Sequence, residues 1–282
     1  MQALPHAGCI PAPNRLCTRR TWGLGTTNRW RELRTTIVRD HRDVRAFFDA
    51  CAEHYAETHG DPSSLLRYRL ALIRTRARFQ ATDVVLEIGC GNGLHLLALA
   101  DSFGRGIGID LSPAMLRVAQ RHVARSPWHT KLRFTVDMAE RLRSVADASV
   151  DVVFSVGALE HMLDKGRVLA NAFRVLKPGG RFVCLTPNGR YLWYRWLTSW
   201  FGLETRHLST DWFLSRGQLD HLLREAGFQD LAFSYWTFIP RGDMHPMHAA
   251  LLGVLDRFGR IAASDILRGG LVVCAQRNGT CG

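Results

Sequence analysis

The residues best placed to do chemistry in this sequence are acids at the ends of short apolar runs. Glu87 stands two residues before a glycine turn, Gly89-Cys90-Gly91-Asn92-Gly93. Asp110 closes the next apolar run, Asp137-Met138 follows the third, and Glu160-His161 comes just after the fourth. Glycines in such a turn allow a tight bend and close approach of backbone to a ligand. A dinucleotide site needs a third glycine where the helix opens, so that a pyrophosphate can sit on its N-terminus. That glycine should fall at 94 or 96, and both positions are leucine. The carboxylate of Glu87 instead suits a ligand with a cationic amino-acid head. Asp110 can accept hydrogen bonds from both hydroxyls of a ribose. Asp137 can receive an adenine amino group while Met138 covers the ring.

These acids need a scaffold that brings strand ends together. From residue 83 strands and helices alternate. Val84–Ile88, Gly106–Asp110, Leu132–Val136, Val150–Ser155 and Arg181–Leu185 read as buried strands. Helical patterns separate them, one over about 94–100, one starting at Ser112-Pro113 and one over about 163–176, closed by Lys177-Pro178-Gly179-Gly180. A further helix over 215–227 precedes strands at about 229–237 and 269–276. The expected fold is α/β, Rossmann-like: a mostly parallel seven-stranded sheet with a final antiparallel strand pair and helices on both faces. Ligands bind such sheets at the carboxyl ends of the strands, at the topological switch point.

The expected organisation is a disordered or loosely attached basic extension over 1–40 and one domain over 41–282. Within it we expect a helical cap (41–80), a cofactor-binding core (81–186), an aromatic excursion (187–214), and a C-terminal helix and strand pair (215–282) with an insert at 238–266. Val44, Phe47, Phe48, Cys51 and Tyr55 recur at helical spacing in the cap, and a second helix opens at Pro62. An organelle-targeting segment is a second reading of 1–40, which are arginine-rich and acid-poor.

The chain has 282 residues, 46% hydrophobic and 22% charged, enough for a sizeable core and far from a disordered composition. Its 7 cysteines are odd in number and include no Cys-x-x-Cys pair, so reduced thiols and a cytoplasmic setting are expected, without a zinc site or disulfide framework. No run is apolar enough to span a bilayer, and no secretory segment follows the start. The net charge of +12 is nearly all arginine, since the only lysines are Lys131, Lys165 and Lys177. It reads as arginine bias on a solvated surface or as affinity for an anionic partner.

Three runs resemble a known family: Val85–Gly93, Gly108–Leu116 and Leu176–Phe182 look like the class I S-adenosylmethionine-dependent methyltransferases often called type 11. The resemblance covers roughly 45–235. It implies S-adenosyl-L-methionine as cofactor, with Gly89, Cys90, Gly91 and Gly93 in the binding turn. It further implies Glu87 near the methionine moiety, Asp110 on the ribose, and Leu111, Met115 and Met138 around the adenine. A nearer resemblance is to the quinone O-methyltransferases of ubiquinone biosynthesis. Arg69-Leu70 matches that family's cofactor-contacting arginine, and Val153–His161 its fourth-strand segment, which implies Val156 on the cofactor. Gly157 departs from that pattern. The quinone enzymes carry an acid there that can bind a metal with the following Glu and His, so no metal site is expected here.

Methyl transfer from a sulfonium is an in-line displacement, and proximity and alignment can supply on the order of 7–11 kcal/mol of its acceleration. An oxygen acceptor must also lose a proton, so a base helps. His161 is one candidate and a helix-start residue is its bland reading. His207 is another, in a segment where the resembling family often has a histidine. Glu160 can orient His161 or simply favour a helix N-terminus. Tyr55 and Cys90 read as packing. Leu192, Trp193, Trp196, Leu197, Trp200 and Phe201 share one helical stripe beside Arg190 and Arg195, either a packed cap helix or an interfacial one touching membrane over 190–203. With Met247–Phe258 they favour a small hydrophobic, lipid-like acceptor and O-methylation. The alternatives are a soluble metabolite, a nucleic acid, or a non-catalytic cofactor-binding partner subunit. No N-P-P-Y-type motif for a flipped base is present, and the aromatics cluster with aliphatics, so nucleic acid is the weaker reading. Oligomeric state is open.

Overall fold

The computed structural model describes residues 36–59, 62–197, 207–237 and 246–278. Seven strands form one sheet in the order β3-β2-β1-β4-β5-β7-β6. They are β1 (Val84–Ile88), β2 (Arg105–Asp110), β3 (Leu132–Val136), β4 (Val150–Val156), β5 (Leu176–Pro187), β6 (Gln229–Trp236) and β7 (Gly270–Gln276). Strands β1 to β5 run parallel, and β7 is antiparallel to both β5 and β6. The run Val-Val-Leu-Glu-Ile of β1 is apolar nearly throughout because helices cover both faces of the sheet. The chain passes from β1 outward through β2 to β3, then returns to lay β4 on the other side of β1. The crevice at the carboxyl ends of β1 and β4 is therefore the switch point.

The helices are α1 (His41–Cys51), α2 (Pro62–Ala77), α3 (Leu94–Leu99), α4 (Pro113–Ala124), α5 (Lys165–Val175), α6 (Arg216–Glu225) and α7 (Pro246–Ile261). Their starts are chemically marked. Ser112 Oγ accepts from Met115 N with Pro113 at the first turn, Asp164 caps α5, and Ser215 with Gln218 forms a capping box on α6. Each such cap is worth about 1 kcal/mol. Two clusters of buried residues fill the two faces. Ile88, Val153, Leu169 and Phe182 lie in one, and Val85, Leu96, Phe154 and Leu185 in the other.

The structure departs from the sequence reading, or decides between its alternatives, at four places. Strand β5 starts at Leu176, five residues earlier than expected, because Leu176 pairs with Val150. An irregularity in register before Val152 absorbs the Pro178-Gly179-Gly180 stretch, which continues the strand instead of closing a helix. The extension expected over 1–40 lies outside the described residues up to 35, but 36–40 join the domain. Thr36 forms a parallel bridge with Leu208, and Val38 is buried against Val44 and Leu208. The insert holds α7. Finally, Trp193 is not at a surface. It and Tyr191 are buried against Leu252 of α7, so the described start of the aromatic stripe packs inward. The Trp196 and Leu197 side chains and residues 198–206 lie outside the description. No helix among the described residues is long and apolar enough to cross a membrane.

Candidate active site

A cavity opens at the switch point, with about 890 Å³ of space counting the part open to solvent, a size that suits a small-molecule site. Its floor is the glycine turn between β1 and α3. Gly89 N and Cys90 N both donate to Ile109 O at 2.9 Å, tying the turn to β2. Gly89 has φ +71°, and a Cβ there would come 2.5 Å from Ala158 Cβ, so only glycine fits this approach to the β4 end. Gly91 N donates to Asp110 Oδ2 at 2.8 Å. Gly93 sits behind the wall as the left-handed N-cap of α3. Cys90 is buried beneath the floor, and burial pushes its thiol well above the ordinary range, so it is a filler and not a nucleophile.

One side of the cavity is acidic. Asp110 lines the wall and accepts from Gly91 N on Oδ2 and Ser112 N on Oδ1. Burial raises its pKa, opposed by those N–H bonds. Asp137 also lines the wall. Its Oδ2 is taken by Ser144 N and Oγ, while Oδ1 accepts from Met138 N and can take one further donor. Leu111, Met115 and Met138 complete this end as apolar surfaces, and Val156 lines the wall at the tip of β4.

The other side is cationic. Arg69, from α2, reaches the wall with its guanidinium 5.6 Å from the Trp236 ring centre. Its Nε is buried without a hydrogen-bond partner among the described residues, and burial lowers its pKa. An unpaired buried donor is costly, and an anionic group in the cavity would relieve that cost. His95, on the first turn of α3, lines the wall, with Nδ1 2.9 Å from Glu87 Oε1. Glu87 itself is fully buried and is not a wall residue; His95, its partner, is. Burial raises the Glu87 pKa, and His95 only partly offsets this.

His161 occupies the remaining wall, edge-on to Phe48. Its Nδ1 lies 2.7 Å from Asp211 Oδ1, while Asp211 Oδ2 accepts from His207 N and Leu208 N. Burial works against the His161 charge, but the Asp211 bond and the nearby carboxylates prevail and raise its pKa above 6.5. The partner that orients His161 is thus Asp211, not Glu160. Glu160 is buried, accepts from Thr186 Oγ1, and is off the wall. His207 is exposed, its ring 6.2 Å from that of His161, and it serves the site through its backbone N–H. His95 and Asp211 escaped the sequence reading. A histidine one turn after a glycine loop was a usable signal for the first. Nothing local signals an aspartate 50 residues from its partner. His41 and Glu140, 3.2 Å apart, are also on the wall and were missed.

Carboxylates on the wall, a glycine floor, and an arginine whose buried Nε lacks a partner among the described residues are a set of groups that fits S-adenosylmethionine, with its ribose, adenine and amino-acid tail. The comparisons agree. A family model described as Methyltransferase domain matches residues 86–184. The chain is 32% identical over 216 residues to the demethylmenaquinone methyltransferase of Symbiobacterium thermophilum, covering 66% of this chain and 84% of that one. It is 27% identical to the ubiquinone biosynthesis O-methyltransferase of Hydrogenovibrio crunogenus, over 64% of this chain and 77% of the relative. Among solved structures, the complex of the Haloferax volcanii Trm112 methyltransferase activator with a methyltransferase matches with TM-score 0.61 and 25% identity, covering 86% of this chain and 100% of that one. Fold, site and relatives define an S-adenosylmethionine-dependent methyltransferase. The chain belongs to the methyltransferase-domain family that also contains ubiquinone and demethylmenaquinone methyltransferases.

Proposed function

We propose that this enzyme methylates a hydroxyl oxygen of a small hydrophobic, quinol-like acceptor, with His161 as the base. The carrying observation is the His161–Asp211 pair on the cavity wall, 2.7 Å apart, with Nδ1 engaged and Nε2 left to meet an acceptor. Relatives named for ubiquinone and demethylmenaquinone support the acceptor class.

In this reading Asp110, Leu111, Met115, Asp137 and Met138 hold the nucleoside, while Arg69 and His95, backed by Glu87, hold the amino-acid tail. Val156 and the Gly89–Gly91 turn pack against the middle of the cofactor. When bound, S-adenosylmethionine supplies a methyl group on a sulfonium, which passes to the acceptor oxygen and leaves a neutral thioether. The chain's own work is alignment and proton removal. His161 Nε2 takes the hydroxyl proton as the oxygen becomes nucleophilic, and ionised Asp211 fixes the tautomer and stabilises the imidazolium. Burial opposes ionisation of Asp211, but the His161 bond and two backbone N–H donors hold its pKa below 3.8.

The test is methyl transfer from labelled S-adenosylmethionine to a short-tailed quinol, partitioned into organic solvent. Label in the solvent that disappears in His161→Gln, with S-adenosylhomocysteine binding retained, supports the reading. Label found only in water-soluble or precipitated material overturns the acceptor class. Full activity in His161→Gln overturns the base.

A further inference from the structure

Helix α7 carries an apolar stripe that the fold leaves outside. Met247, Leu251, Val254, Phe258 and Ile261 follow one another at intervals of four and three residues, which places them on one face. They are 51% to 85% exposed, and they are most of the exposed large hydrophobics among the described residues, the others being Ile37, Val136 and Trp212. The helix cannot roll to hide them. Its opposite face is pinned by Leu252 against Tyr191 and Trp193, and by fully buried Asp256, which bonds Arg268 at 3.1 Å. None of the stripe residues lines the cavity, so they do not grip the acceptor directly.

Charge says what covers this face. Asp256 is the helix's only acid and is buried, while Arg257 is exposed beside the stripe; Arg260, one turn from Asp256, faces the other way and lies 3.6 Å from its Oδ2. A second copy of a chain with net charge +12 would bring arginine to arginine, with no exposed acid on the helix to answer it. One 16-residue helix also offers little area for a stable dimer. Apolar side chains edged by an exposed arginine, with no exposed acid on the helix, match an anionic bilayer surface instead. We propose that α7 lies in the plane of an anionic lipid surface, with Met247, Leu251, Val254, Phe258 and Ile261 dipped among the acyl chains and Arg257 at the headgroups. Behind the stripe, Leu252 and Leu255 pack against Tyr191, Trp193 and Tyr194. The surface follows from the helix alone, while its use in admitting a lipid-borne acceptor rests on the function proposed above.

Flotation of the purified full chain with vesicles tests it. The chain should float with phosphatidylcholine vesicles containing phosphatidylglycerol, and much less with phosphatidylcholine alone or at high salt. Val254→Gln combined with Phe258→Gln should lower the bound fraction at least about tenfold, with S-adenosylhomocysteine binding and activity on a detergent-dispersed short-tailed quinol unchanged. Arg257→Gln should weaken binding to anionic vesicles only. Absence of flotation, or a double variant that floats like the wild type, overturns the proposal. So does a solution dimer that the double variant dissociates, which would assign the stripe to a second copy. Flotation without transfer to any quinol leaves the docking surface standing and overturns the acceptor reading; transfer without flotation does the reverse.

Discussion

Two histidines on the cavity wall are each held by a buried carboxylate, and the two pairs behave differently. In the function proposed above, His95 and Glu87 serve the cofactor's amino-acid end; they are eight residues apart in sequence. In the same reading His161 and Asp211, 50 residues apart, serve the acceptor end. Burial wins at Glu87 and raises its pKa, whereas at Asp211 hydrogen bonds win and lower it. The difference lies in what else each acid touches. Asp211 accepts two backbone N–H bonds besides the imidazole, while Glu87 depends mainly on its histidine. Donors to the charged form keep a buried carboxylate ionised. An ionised Asp211 can support an imidazolium during turnover, while Glu87 is suited to holding a ring still.

The comparison makes graded predictions. Removing the base has the largest expected effect: His161→Gln should lower kcat by about 100- to 10,000-fold with little change in S-adenosylhomocysteine affinity measured calorimetrically. An equal loss in affinity would place His161 in binding. Asp211→Asn should cost roughly 10- to 100-fold in kcat through loss of the held tautomer. It should also move the acid limb of the pH profile to lower pH, because burial then acts on His161 without its main opponent. An unmoved limb would show that another group titrates in that limb.

Stability should move oppositely to activity. The raised folded-state pKa of His161 stabilises the protein fully below the histidine's unfolded value, and this is lost as pH rises through the folded one. Thermal unfolding should therefore show part of the stability falling over the window where the base form, and so kcat, is gained. Asp211→Asn should abolish that part of the pH dependence.

At the other pair the effects should be smaller and confined to binding. His95→Ala should weaken S-adenosylmethionine by about tenfold and Glu87→Gln by less, with kcat at saturation nearly intact. A large kcat loss in Glu87→Gln would erase the contrast between the pairs. Smallest of all, Gly157→Ala should lower Tm by only about 2–4 °C. Gly157 sits at φ +60°, yet a Cβ there would stay 3.5 Å from Arg69, in ordinary contact. The cost is backbone strain alone.

What the sequence determined by itself is local. The apolar runs of β1 to β4, the helix start at Ser112-Pro113, and the glycine turn each lie within a few residues, and Asp110 and Asp137 are legible because strand ends must meet at a switch point. The parallel order of the strands followed from their alternation with helices. Tertiary structure decided what depends on chain distant in sequence. It set Asp211 behind His161, put His95 between Glu87 and the cavity, buried Trp193 under α7, and started β5 at Leu176 because Val150 lay beside it. Burial and hydrogen bonding are properties of neighbours in space. Periodicity can mark a helix face as apolar, as it did for both Trp193 and Val254. Only packing made the first a core residue and left the second at the surface.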